Sequence, residues 1–90
     1  HLDHVRGIPA LADNLILGRI PHAVRIHGLP EVLEALAAHL MNDAVWPDFT
    51  RLPSAGRPVM AYSPVAPGSA FEINGYRFRA VPVDHSVPAA

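Results

Sequence analysis

The sequence predicts a mixed α/β fold, and three patterns carry that prediction. Two segments, near residues 8–17 and 30–41, repeat apolar residues at helical spacing. Ala23-Val24-Arg25-Ile26-His27 alternates and reads as a strand, as does Val59-Met60-Ala61-Tyr62. Asn74-Gly75 stands between two short strand-like runs, a pattern that suits a type I′ hairpin turn with positive φ at both central residues.

In the first helix Ile8, Leu11, Ala12, Leu15 and Ile16 form the apolar stripe. Pro9 is tolerable in a first turn, and Gly18 is a suitable stop. In the second, Val32, Leu33, Leu36, Ala37 and Leu40 form one face, and Pro30 suits the first helical position. Glu31 and Glu34 lie where the helix dipole favours negative charge, and His39 lies near the opposite end. Asn42 to Pro58, with Trp46-Pro47-Asp48-Phe49 at its centre, is expected to be irregular. Pro64 to Gly68 reads as a loop. The hairpin strands are expected over 70–73 and 76–81, after which Pro82 breaks the ladder and the chain emerges at Asp84-His85. Strand ends that open into loops commonly carry site residues.

Ninety residues make one small domain or part of one, and half of them are apolar. That richness excludes disorder driven by low hydrophobicity and high charge. In so short a chain it also suggests apolar surfaces normally covered by further sequence. The formal net charge of −1 gives no global pull towards nucleic acid. There is no cysteine, so disulfides and cysteine–zinc sites are excluded. No apolar run reaches membrane-spanning length, and no signal peptide is visible. A cytoplasmic location is the expectation.

The densest chemistry is His1-Leu2-Asp3-His4, three strong metal ligands within four residues. A further candidate, His85, stands in Val83-Asp84-His85-Ser86-Val87-Pro88. Imidazole and carboxylate together suit zinc and related divalent ions. In an extended segment His1 and Asp3 would project to one side, and a following helix would swing His4 round to join them. The cluster need not serve a single ion. A tag remnant is the bland alternative, but tags rarely alternate histidine with leucine and aspartate. A ligand cluster at a free terminus is a poor place to hold a metal, and both ends look cut. The expected description is therefore an internal piece of a larger protein.

These residues resemble a known superfamily. His1-Leu2-Asp3-His4 followed by Val5-Arg6-Gly7-Ile8-Pro9 is similar to the last four positions of the His-x-His-x-Asp-His motif of the metallo-β-lactamase fold and the residues after it. Val83-Asp84-His85-Ser86-Val87-Pro88 is similar to the family's next ligand segment. Within the superfamily, the run from Leu36 through His39, Asn42 and Trp46-Pro47 to Thr50 most resembles class II cyclic-nucleotide phosphodiesterases, where a similar helix ends in His-x-x-Asn and runs into Trp-Pro.

The resemblance implies a partial metallo-β-lactamase αβ/βα sandwich over residues 1–90. It implies two zinc ions, with other divalent metals as alternatives. His1 and His85 would share one ion with a histidine preceding His1, and Asp3 and His4 would bind the second. Asp3 would also orient the nucleophile. In the intact family the two ions activate a bridging water or hydroxide for attack on phosphorus. The implied partner is a small phosphodiester, with a 3′,5′-cyclic nucleotide favoured. The alternatives are a tRNA 3′-processing endonuclease, against which the weakly acidic balance and the Trp-Pro stretch weigh, and a non-catalytic metal-binding fragment. The ninety residues alone are expected to lack turnover, since each ion would lack a ligand.

The remaining candidates read as structural. His39 favours its helix terminus electrostatically, and His22 and His27 are expected on the surface. Trp46 and Phe49 are expected to cover the core. Arg77 and Arg79 are expected on the solvated face of the hairpin.

Overall fold

The computed structural model describes residues 1–18 and 22–90. Its elements in chain order are α1 (Leu2–Val5), α2 (Gly7–Leu17), β1 (Val24–Gly28), α3 (Pro30–His39), β2 (Met60–Pro64), β3 (Ala70–Ile73) and β4 (Tyr76–Arg79). The mixed α/β expectation holds. The first four residues are a correction: Leu2–Val5 is a turn of helix rather than an extended segment. Pro9 explains why α1 and α2 are separate. It has no N–H to offer the carbonyl of Val5, and its ring would crowd that group in a continuous helix. The break falls at Arg6, whose own N–H still makes the regular helical bond to the Leu2 carbonyl at 2.8 Å and closes α1.

β1 and β2 pair in parallel, with Val24 opposite Met60 and Gly28 opposite Pro64. Parallel neighbours need a crossover, and α3 with the irregular stretch after it supplies one. Val24 and Ile26 share a face with their partners Met60 and Tyr62. All four pack into a core with Ala12 and Leu15 of α2, and with Met41, Phe49 and Val59. Ala12 and Met60 have no exposed surface. The expected stripe of α2 is therefore correct at Ala12 and Leu15, with Ile8 and Ile16 packed against the same core, while Leu11 lies on its outer side and is 46% exposed. In α3 the buried residues are Leu33 and Leu36.

The stretch from Asn42 to Pro58 contains neither helix nor strand, and polar side chains order it. The Asn42 amide donates to the Ala38 carbonyl at 3.1 Å, while its oxygen accepts from the N–H groups of Ala44 and Val45. One side chain thus satisfies an orphan carbonyl of α3 and starts the next turn. Asp43 accepts from the Asp48 N–H at 2.9 Å. These links fold Phe49 into the core and set Trp46 against it, as expected.

β3 and β4 form the antiparallel hairpin. Phe71 lies opposite Phe78 and Ile73 opposite Tyr76. Asn74 has φ 50° and Gly75 has φ 82°, as a type I′ turn requires. Gly75→Ala is expected to destabilise the chain by about 1–2 kcal/mol, because a side chain at positive φ approaches the following carbonyl. A urea titration checks this. Arg77 and Arg79 are exposed on the opposite hairpin face. β4 ends at Arg79 rather than Val81, since the Ala80 carbonyl has turned to accept from the Gly68 N–H. No helix is long and apolar enough to cross a membrane among the described residues.

Two core-facing polar atoms, the Trp46 indole nitrogen and the Tyr62 hydroxyl oxygen, are buried without a hydrogen-bond partner among the described residues. Burial pushes the Tyr62 phenol above its ordinary value of 10.0, and the Asp48 carboxylate adds to the effect. The folded chain therefore keeps this proton at a pH where the unfolded chain has lost it. Stability is expected to hold below pH 10 and to fall as pH rises through the raised value. Urea midpoints between pH 9 and 11 test this, and Tyr62→Phe should flatten the decline. The same substitution removes an unpartnered hydroxyl, so at pH 7 it should leave stability unchanged or higher.

Candidate metal centre

α1 decides where three of the candidate ligands stand. His1 occupies its N-cap position without a side-chain capping bond, and the N–H of His4 bonds the His1 carbonyl at 3.1 Å. Residues three apart lie on one side of a helix, so His1 and His4 are neighbours along it. Asp3 lies beside His4, with a carboxylate oxygen 3.3 Å from Nε2. Both side chains are over two-thirds exposed, at 71% and 75%. A contact so open to water adds little stability.

His85 arrives from the far end of the described chain. Pro82 cannot continue the ladder of β4, and the chain leaves the hairpin as a loop. The Val83 N–H closes that loop by bonding the Ala89 carbonyl at 3.1 Å. Within it, His85 comes to rest beside His1, with ring centroids 5.7 Å apart and planes tilted by 46°.

Two imidazoles on one zinc, each with a Zn–N bond of about 2.0–2.1 Å and a tetrahedral angle between them, place their ring centroids about 5 Å apart. The His1–His85 spacing is close to that value, and the chemistry of the donors suits the ion. The four residues nevertheless come together as two pairs, His1 with His85 and Asp3 with His4. Among the described residues no group of three such donors converges. The side chains of all four are exposed, so the region is open to solvent.

The profile of the family described as cAMP phosphodiesterases class-II matches residues 1–82, most of the chain. The chain belongs to the class-II cAMP phosphodiesterase family. Its match in a curated relative is to 3′,5′-cyclic-nucleotide phosphodiesterase 1 of Saccharomyces cerevisiae, 34% identical over 50 residues. That alignment covers 56% of this chain and 14% of the yeast protein. The chain thus spans a small part of its relative's length. No solved structure matches it.

For a class-II phosphodiesterase chain, the other histidines separate cleanly. His39 is exposed in the last turn of α3, and His22 is exposed before β1. His27 differs from its expected surface position. It is half-buried, and its ring stacks on Phe71 with centroids 5.7 Å apart and planes within 11°. Nothing local in the sequence marks this contact, because it depends on where the hairpin docks against β1.

Proposed function

We propose that His1, Asp3, His4 and His85 are metal ligands of a phosphodiesterase that hydrolyses a 3′,5′-cyclic nucleotide. His1 and His85 hold one divalent ion, zinc or a metal of similar preference, and Asp3 and His4 hold a second. The observation that carries this reading is the meeting of His1 and His85 from opposite ends of the described chain. The family match and the yeast relative's name support the substrate class.

When bound, a pair of divalent ions supplies a nucleophilic water near neutral pH and offsets the charge growing on a phosphate. The chain's own contribution is positional. α1 presents His1 and His4 along one side. The 83–89 loop holds His85 against His1. Asp3, beside the Nε2 of His4, orients that ring and the water that attacks phosphorus. The parallel β1–α3–β2 unit followed by an antiparallel hairpin that delivers a histidine supports a metallo-β-lactamase αβ/βα sandwich as the parent fold.

Zinc titration of the purified chain, followed by the ring proton resonances of its histidines, tests the ligand set. His1, His4 and His85 should shift on binding while His22 and His39 stay. Zinc that perturbs His22 or His39 first would sink the assignment.

A further inference from the structure

β3 and β4 form a sheet of their own, separate from the β1–β2 pair. Among the described residues, no side chain of the hairpin belongs to the buried core or packs against it, and all of β4 is exposed. A groove of about 340 Å³ runs between the carboxyl ends of β1 and β2 and the hairpin, with His27, Ser63 and Val65 on one side and Ala70 and Phe71 on the other. The hairpin is therefore held to the rest of the described chain at few points.

One of these is its root. The Val65 N–H bonds the Gly28 carbonyl at 2.9 Å, which ties the chain leaving β2 to the end of β1. A turn follows, with the Ser69 N–H on the Ala66 carbonyl, and the Gly68 N–H closes the base of the hairpin on the Ala80 carbonyl at 2.8 Å. These bonds fix where the hairpin starts, but a root at one end leaves its tilt open. The other point is a stack of side chains. His27, the register partner of Ser63, is half-buried and lies nearly parallel to Phe71. Phe71 in turn stacks on Phe78 across the hairpin at 5.8 Å, so a row of rings runs from β1 to β4. Aromatic pairs prefer particular offset orientations, and the row therefore sets an angle as well as a contact.

The angle matters for what lies beyond β4. From Val81 to Ser86 every residue is exposed. That stretch is anchored by its attachment at Ala80 and by the Val83–Ala89 bond within its own loop. His85 thus goes where the hairpin points it. We propose that His27 is a positioning residue: through Phe71 and Phe78 it holds the hairpin at the angle that carries His85 to His1. Its value to the reaction rests on the metal-ligand reading of those two histidines. The positioning itself is a property of the metal-free chain.

The test reads nuclear Overhauser cross-peaks between the ring protons of His1 and His85 in the presence of EDTA. The parent chain should show them, since the ring centroids are 5.7 Å apart. His27→Leu keeps apolar bulk and removes the flat ring. It should lose the cross-peaks while the methyl resonances of Ala12 and Met60 in the core stay in place. His27→Phe restores a ring and should restore the cross-peaks, a rescue that a general packing defect would not show. Phe71→Leu breaks the stack from the other side and should act as His27→Leu does. Cross-peaks that persist in both leucine variants, a His27→Phe chain that behaves like His27→Leu, or a parent without cross-peaks would overturn the proposal. Zinc should bind His27→Leu about two- to tenfold more weakly than the parent. Unchanged zinc affinity beside lost cross-peaks would count against the metal assignment of His85 and leave the positioning standing, so the two readings fail separately.

Discussion

In a hydrolytically active form of the protein, His85→Ala is expected to lower kcat/KM for a cyclic nucleotide by more than about 100-fold, because even partners behind the ligands of a metal site cost about 10–100-fold when removed. His85 lies on a loop, is exposed and packs into no buried cluster, so the fold should survive its loss. His4→Ala and Asp3→Ala should behave alike, since each leaves an ion with one donor fewer from α1. His39→Ala is the control: it is exposed at the end of α3 and should change activity little. Cyclic AMP, cyclic GMP, a bis-nitrophenyl phosphodiester and a tRNA precursor make up the substrate panel. Turnover of the tRNA precursor without turnover of a cyclic nucleotide would reverse the substrate assignment. Full activity in His85→Ala would remove it from the ligand set.

The largest stability effect is expected at Met60. It is fully buried at the start of β2, opposite Val24 and within the cluster that joins α2, the sheet and the 42–58 stretch. Met60→Ala removes three heavy atoms from the meeting point of three elements, and substitutions of this kind cost about 2–5 kcal/mol. For a chain of this size that lowers the melting temperature by about 10 °C or more. Met60→Leu conserves volume and should cost under about 1.5 kcal/mol. Thermal unfolding of the three proteins checks the order. A melting temperature for Met60→Ala within two degrees of the parent would mean the core does not close around this side chain.

How far the sequence foretold the structure depends on the range of the forces involved. α2, α3 and the hairpin were legible because their determinants are local: the stripe of Ala12 and Leu15, the opening Pro30, and the positive-φ pair Asn74-Gly75. The candidate ligands were legible as chemistry, since three donors in four residues are unusual. Their backbone was not, because the helical turn at Leu2–Val5 is too short to show a period. The pairing of His27 with Ser63 and its stack on Phe71 were illegible for another reason. Parallel register and sheet-to-hairpin docking are set by contacts far apart in sequence, and His27 has nothing beside it in the chain to betray its neighbour. The 42–58 stretch is legible as irregular, while the Asn42 and Asp43 bonds that order it are not.

The meeting of His1 and His85 depends on several elements at once. It joins the first residue to a loop beyond β4, so α1, the parallel pair and the hairpin must all be in place for the two rings to stay together. Loop-closure entropy grows slowly, by about 0.6 kcal/mol for each doubling of loop length. The span from His1 to His85 is roughly twice the loop drawn in by β1 and β2, so on this scale holding the two histidine rings together costs the chain little more than pairing those strands.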